Sequence, residues 1–579
     1  MDKPLDTKSV KYYGGDWRTL KDTRQSLSVI GLDTEAYDTG ECFMIATSAG
    51  HVWRPADVPG AFFSRQYRGS NFVCYNLGYD SGALLQSLSE DQLKDLWKTG
   101  KTSAPPYNYR SIPKKCLTIT RGKNSVHFWD LANFYDGTLE ANAVKYLGEH
   151  KIKVETKKFT RPYVQEHWDS LSKYCVRDSV LCKGLADRLI KRFEALGVYP
   201  QKLFSIAYVS YQHFRRKCAY VTVKRYWDKE RYVLDFAMRA YNGGKFEVTK
   251  KGIGDYHEYD IVSAYPYEIR NLVDISWARV VRSRKYRRNA VYGFLDVKLN
   301  IPFGVNSPCV VKRGNVNCYP IGEYNRTITK TEYDYLASAG VDVTIQDAVW
   351  LHIDNRQYPY RREIDKLVTL KNQYKQTGDD LDYHTIKILM NSLYGKFVQL
   401  LPNGDTWKAS SCWNPIYGAI ITANTRIRIS KLQQEYGHIV AVHTDSVISD
   451  KPLPFRNHGN LGDMIFECSG SGLILGSGIY QIGDKVKFRG FSSDRSLFDL
   501  LSVNGRYAKL AQVRPYTWRE VAFHNWPGEQ INRFTEQDRK LDVRFDRKRL
   551  WLKDWQRWSD VEKHTVESLP LVVTPVLFE

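Results

Sequence analysis

Two acidic residues 185 positions apart carry the clearest chemical potential in this chain: Asp260, in Asp260-Ile261-Val262-Ser263-Ala264-Tyr265-Pro266, and Asp445, in His443-Thr444-Asp445-Ser446. Between them lies Lys387-Ile-Leu-Met-Asn391-Ser392-Leu-Tyr394-Gly395. Two carboxylates brought together can share a pair of divalent ions, which would clamp the attacking and leaving oxygens of an in-line phosphoryl displacement. The expected chemistry is nucleotidyl transfer, provided the intervening chain folds back on itself.

The elements that must position these residues are legible. Glu258 to Ile261 reads as a strand running into Ser263. Arg362–Gln376 and Asp382–Tyr394 read as two helices separated by the breaker Gly378-Asp379-Asp380. Lys371 lies eight residues before Asp379 and Lys387 eight after it, so in a hairpin both ammonium groups stand at one height and could grip a triphosphate. Lys387, Asn391 and Tyr394 recur at spacings of four and three and form one polar stripe. A further helix, Ile416–Tyr436, leads through Gly437 into the strand Ile439–Val442 and a tight turn at His443–Ser446.

The first third carries a second set of acids. Leu27–Leu32 reads as a buried strand delivering Asp33 and Glu35, which share one side because strand side chains alternate. Alone, such a pair reads equally well as a solvated strand end. Here Phe72–Tyr75 is another strand ending at Asp80, and Tyr174 and Asp178 share a helix face that runs towards Gly197. Asp33, Glu35, Asp80 and Asp178 are the type and number of ligands that hold two Mg²⁺ ions about 3.5–4 Å apart, with Tyr174 orienting an attacking water.

Taken in order, Asp33-x-Glu35, Asn76-x-x-x-Asp80 and Tyr174-x-x-x-Asp178 resemble the three motifs of the 3′–5′ proofreading exonuclease of family B DNA polymerases. Tyr241-Asn-Gly243-Gly244 resembles the family's Y-x-G-G segment, although alone it is also a plain turn. The Asp260 segment resembles motif A with Ala264 in place of leucine, and the Lys387 segment resembles motif B. The Asp445 segment resembles motif C, with Ala441 at the tyrosine position and His443 at the first acid, which implies an altered metal preference or rate.

The resemblance implies an α/β and α+β multidomain chain: an RNase H-like exonuclease domain, then a right-hand polymerase with an antiparallel palm, helical fingers and a small thumb. The expected division is exonuclease 1–205, palm 206–355 with an insertion between motifs A and B, fingers 356–396, palm 397–490 with a shortened second insertion, and thumb 491–579. Asp260 and Asp445 would hold two Mg²⁺ ions, with Mn²⁺ as an alternative, and the Ile261 carbonyl would complete one shell. Tyr265 would stand where a ribose 2′-hydroxyl projects, and Tyr394 beneath the new base pair. Asn76, Tyr79, Thr138 and Leu139 would hold a frayed 3′ end. Tyr241, Gly243, Gly244, Tyr480, Lys487 and Arg489 would touch DNA, Gly478 standing where the family's primer-strand lysine is expected. Arg539-Lys540, Arg547-Lys548-Arg549 and the tryptophans from Trp551 to Trp558 would suit a thumb tracking a duplex.

The spellings most resemble the protein-primed members from phages and linear plasmids, which implies replication of a viral or plasmid genome. The expected partners are primer-template DNA, dNTPs and a terminal protein primer. Only about twenty residues separate Gly395 from the helix at Ile416, so the insertion that closes a ring round DNA in those members looks truncated.

Composition agrees. A net charge of +21, from 85 basic and 64 acidic residues spread along the chain, points to a polyanionic partner. The 10 cysteines form no C-x-x-C pair or zinc-type cluster, so reduced, buried thiols are expected. Met1–Leu20 has no apolar leader core and no stretch reaches the roughly 18 apolar residues of a membrane span. A cytoplasmic monomer with no membrane contact is the expectation. Two rivals stay open: a nuclease whose other half only binds DNA, and a non-enzymatic basic binding protein.

Overall fold

The computed structural model describes residues 3–14, 25–155, 159–218, 221–378, 380–455, 458–490 and 496–573; the side chains at 380 and 381 are outside that description. Asp379, the expected pivot of the helical hairpin, and part of Met1–Leu20 also lie outside the described residues.

The first unit is an eight-stranded mixed sheet in which Ile30–Ala36, Asn71–Cys74 and Asn124–Asp130 run parallel at the centre. Cys42–Thr47 pairs antiparallel with Ile30–Ala36 and is buried at every position, which its continuous apolar run requires. The 28-residue helix Trp168–Ala195 lies across these strands on a buried stripe that includes Leu171, Cys175, Asp178, Cys182, Leu185 and Leu189. It seats closely because Gly31 has no Cβ; one built there would fall 1.7 Å from the Ser179 carbonyl oxygen.

The central unit is a nine-stranded sheet whose middle strand, Lys250–Ile261, pairs antiparallel with Ser446–Ser449 and Met464–Gly476. The helix Pro415–Glu435 supports it and is buried on nearly all sides, as a helix enclosed by other elements must be. Between motifs A and B the chain builds a separate four-stranded sheet with the helix Lys330–Ser338. Arg361–Thr377 and Asp380–Phe397 form the expected helical pair, the first capped by Gly378 at φ 72°. Between the motif B helix and the helix Pro415–Glu435 the chain forms the hairpin Leu400–Asn403 with Thr406–Ala409, to which Val10–Lys11 adds a parallel strand.

The C-terminal region is a long hairpin, Tyr507–Pro515 with Phe534–Asp542, that carries the short helix Trp518–His524 at its tip. The tip returns to the first unit: Trp518, Val521, Ala522 and Ile531 are buried in the same core as Leu32, Phe72 and Phe128. The tryptophans expected on a duplex-tracking surface are partly internal. Trp555 and Trp558 are fully buried, and Trp551 and Trp555 flank the buried Lys251 ammonium, which pairs with Asp554 at 2.5 Å. An aromatic sandwich and a carboxylate allow a cation to sit where it is otherwise costly. Among the described residues, no helix is long and apolar enough to cross a membrane.

Candidate functional site

The palm sheet brings the two distant acids side by side. Asp260 ends its strand directly opposite Ser446, and the Ile261 N–H donates to the Asp445 carbonyl at 2.9 Å. Neighbouring strands stand about 4.8 Å apart, so both carboxylates share one edge of the sheet. Thr444, next to Asp445, and Ser263, three residues after Asp260, lie in the left-handed region at φ 64° and φ 49°, where the chain turns sharply. Gly244 lets the Y-x-G-G segment approach that turn; a Cβ there would meet Thr444 Cγ2 at 2.6 Å.

Burial, with Asp445 beside it, pushes Asp260 up to about 7, and burial pushes Asp445 up to about 6. The charge of the exposed Lys387 works against both shifts. Lys371 is buried and donates to Ser263 Oγ at 3.2 Å; burial, with Lys387 nearby, holds its ammonium below the usual range. Tyr265 packs on Tyr394 with ring centroids 4.5 Å apart, and the Tyr394 and Tyr241 hydroxyls are 2.7 Å apart. Asn391 is exposed on the same helix.

His443 points away from this edge. Its ring stacks on Tyr480 at 4.9 Å, the Gly478 N–H donates to Nε2 at 3.3 Å, and burial holds it neutral, down to about 3. Tyr480, expected at the primer strand, is therefore buried at 4% exposure and its hydroxyl donates to Glu258, because the stacked histidine holds it inward. Lys487 and Arg489, on the neighbouring strand, are exposed.

A second acid cluster forms on the first sheet. Burial, with Asp178 nearby, pushes Asp33 up to about 7, and burial, with Asp33 and Asp178, pushes Glu35 well above the carboxylate range. Asp80 is also raised, by burial and by Asp33, and accepts from Thr34 Oγ1 at 3.0 Å. Tyr174 is buried beside them, with the Lys151 ammonium 5.2 Å from its ring and 2.5 Å from Asp178 Oδ2. Asn76 caps the helix Leu77–Leu85 at φ 71° with its side chain exposed, and Tyr79 is half-buried. Thr138 caps Leu139–Leu147 by accepting from the Ala141 N–H, while Leu139 itself is buried. Carboxylate oxygens are the ligands that hard cations such as Mg²⁺ take, and Asp178 Oδ1 is buried with no hydrogen-bond partner. Both acid sets fit such ions.

Sequence reasoning missed Lys151, Arg426 and Glu467. Arg426 is fully buried, donates to the Asn242 and Gly243 carbonyls at 2.8 Å each, and pairs with Glu332 at 2.7 Å, so it fixes the Y-x-G-G segment. Glu467 is the extra residue of a bulge opposite Glu258 and Tyr259, and its exposed carboxylate adds to the upward push on Asp260. In a chain this basic, a single lysine carries no signal. An arginine within a helix of largely apolar and small polar residues was the one visible clue.

Among solved structures, Phi29 DNA polymerase complexed with primer-template DNA and incoming nucleotide covers 90% of this chain and 100% of its own, with a TM-score of 0.65 at 15% identity. The same polymerase complexed with single-stranded DNA gives 0.62 at 14% identity. The fold is thus an RNase H-like domain followed by a right-hand palm, fingers and thumb. The model of the organellar and viral type B DNA polymerases matches residues 107–412, just over half of the sequence, and the chain belongs to that family. A probable DNA polymerase of Neurospora intermedia is 22% identical over 397 residues, covering 59% of this chain and 40% of that protein. One of Ascobolus immersus is 25% identical over 387 residues, covering 57% and 30%. The chain spans less than half the length of these curated relatives.

Proposed function

We propose that this chain is a DNA-templated DNA polymerase with a 3′–5′ proofreading exonuclease, serving a viral or plasmid genome. The carrying observation is the juxtaposition of Asp260, near the end of its strand, with Asp445, in the turn of the adjoining hairpin, with Lys371 and Lys387 presented beside them by the helical pair. Asp260, Asp445 and the Ile261 carbonyl would hold Mg²⁺, and Asp33, Glu35, Asp80 and Asp178 would do so in the nuclease half. When bound, such ions supply charge neutralisation at the attacking and leaving oxygens. The lysines grip the triphosphate, Tyr265 excludes a 2′-hydroxyl from its contact with Tyr394, and Tyr174 orients the water that attacks a frayed 3′ end. The two activities divide at about residue 205, with the palm on either side of fingers 356–396 and the thumb after 490. Lys487 and Arg489 remain available to phosphates, whereas Tyr480 supports the site through His443.

Primer extension with dNTPs and Mg²⁺ tests the reading. Asp445→Asn should lower extension by at least about a thousandfold, the several kcal/mol that a metal-holding carboxylate supplies, while leaving degradation of single-stranded DNA in place. Asp33→Ala with Glu35→Ala should do the reverse. Extension that survives Asp445→Asn overturns the polymerase assignment.

A further inference from the structure

Cys175 follows Tyr174 on the helix Trp168–Ala195, and neither activity proposed above uses it. Its Sγ lies 3.5 Å from the Asp33 carbonyl oxygen and 3.6 Å from Asp33 Oδ2. One ligand atom each of Asp33, Glu35 and Cys175 lie within 4.8 Å of one another, and among the described residues no other His, Cys, Asp and Glu group is as compact. With zinc–sulfur near 2.3 Å and zinc–oxygen near 2.1 Å, a tetrahedral ion sets sulfur and oxygen about 3.6 Å apart. The Cys175–Asp33 spacing already meets that edge.

Independent of the thiol, Asp178 Oδ1 is buried without a partner, its sister oxygen being taken by Lys151. Asp178 is a close charged neighbour of Asp33, so this unpartnered oxygen belongs to a residue beside the cluster. Magnesium takes oxygen ligands and gains nothing from sulfur, whereas zinc and cadmium prefer it.

We propose that Asp33, Glu35 and Cys175 form a binding site for a thiophilic divalent cation, zinc or cadmium, with Asp178 Oδ1 accepting from a water in the fourth position. The inference rests on the exonuclease reading of these acids. On binding, the thiol loses its proton to solvent, as does either carboxyl that is protonated, and the thiolate sulfur bonds the ion, so at least one proton leaves per ion bound. Among the described residues no compact ligand group that pairs sulfur with Asp260 or Asp445 is present, so a soft ion discriminates between the two halves.

Cadmium titration of the full chain, followed by the ultraviolet sulfur-to-metal charge-transfer band, tests this. The band should saturate at one ion per chain, be lost in Cys175→Ser, and persist in Cys309→Ser, a change at another buried thiol. Zinc should displace the band, and its affinity, measured by calorimetry, should fall at least about tenfold in Cys175→Ser. Circular dichroism and thermal unfolding establish that the variant is folded, and Asp33→Ala, which keeps the thiol, should also weaken cadmium binding. An equal band or equal zinc affinity in wild type and Cys175→Ser overturns the proposal. Mg²⁺-dependent degradation of single-stranded DNA by the wild type separates the two failures: degradation without a band sinks this inference alone, whereas no degradation sinks the exonuclease reading.

Discussion

Asp260 and Asp445 are held in a setting that penalises their charge, and that penalty has a sign. Burial, with repulsion from Asp445, raises Asp260 to about 7, and burial raises Asp445 to about 6. Unfolded aspartates titrate near about 4, so the folded, metal-free protein binds more protons than the unfolded chain between about pH 4 and 7. Stability present below that window is lost as the pH rises through it. A divalent ion requires the ionised carboxylates, so Mg²⁺ should raise the melting temperature more at about pH 8 than at about pH 5. Thermal unfolding in EDTA and in Mg²⁺ at the two pH values checks this, and equal Mg²⁺ shifts would contradict the packing described for these acids.

At the scale of elements, the acids proposed for the exonuclease depend on how closely one helix approaches one strand. Gly31→Ala would put a Cβ 1.7 Å from the Ser179 carbonyl, next to Asp178, and the helix must then move off the strand that carries Asp33. We expect degradation of single-stranded DNA to fall by about a hundredfold, as a displacement near 1 Å does in a positioned site, while primer extension is retained. A comparable loss of both activities would mean that the change unfolds the chain instead. The Lys251 sandwich makes a second element-level prediction. Asp554→Ala leaves a fully buried ammonium without its carboxylate, and should cost about 3–5 kcal/mol in denaturant unfolding.

Across the whole molecule, the C-terminal region and the first sheet are one packed body, because Ile531 and Trp518 complete a core begun at Leu32. Gln86 Nε2 donates to the Ile531 carbonyl at 3.0 Å and Asn532 Nδ2 to the Tyr79 carbonyl at 2.9 Å, so the contact is polar as well as apolar. Ile531→Ala should therefore destabilise the first unit by about 2–5 kcal/mol, read as a lowered protease-resistance midpoint of the first 205 residues although the change lies in the last hundred. The charge of +21 acts at the same scale: the logarithm of the affinity for single-stranded DNA should fall linearly with the logarithm of salt concentration. The acids, the motif B helix and its partner could be found in the sequence because each is a local pattern with its own spacing or period. Lys151 on Asp178, Arg426 on the Y-x-G-G carbonyls and the bulge at Glu467 could not, since each is one residue whose meaning comes from a neighbour far away in the chain.

The sequence by itself determined the family, the two sets of carboxylates and the helices and strands that carry them, because side-chain type and periodicity are properties of short segments. Only the tertiary structure decided that Tyr480 turns inward onto His443, that two C-terminal tryptophans enclose Lys251, and that Cys175 stands against Asp33. These are pairings between distant segments, chosen by which surfaces bury together, and no local pattern encodes them.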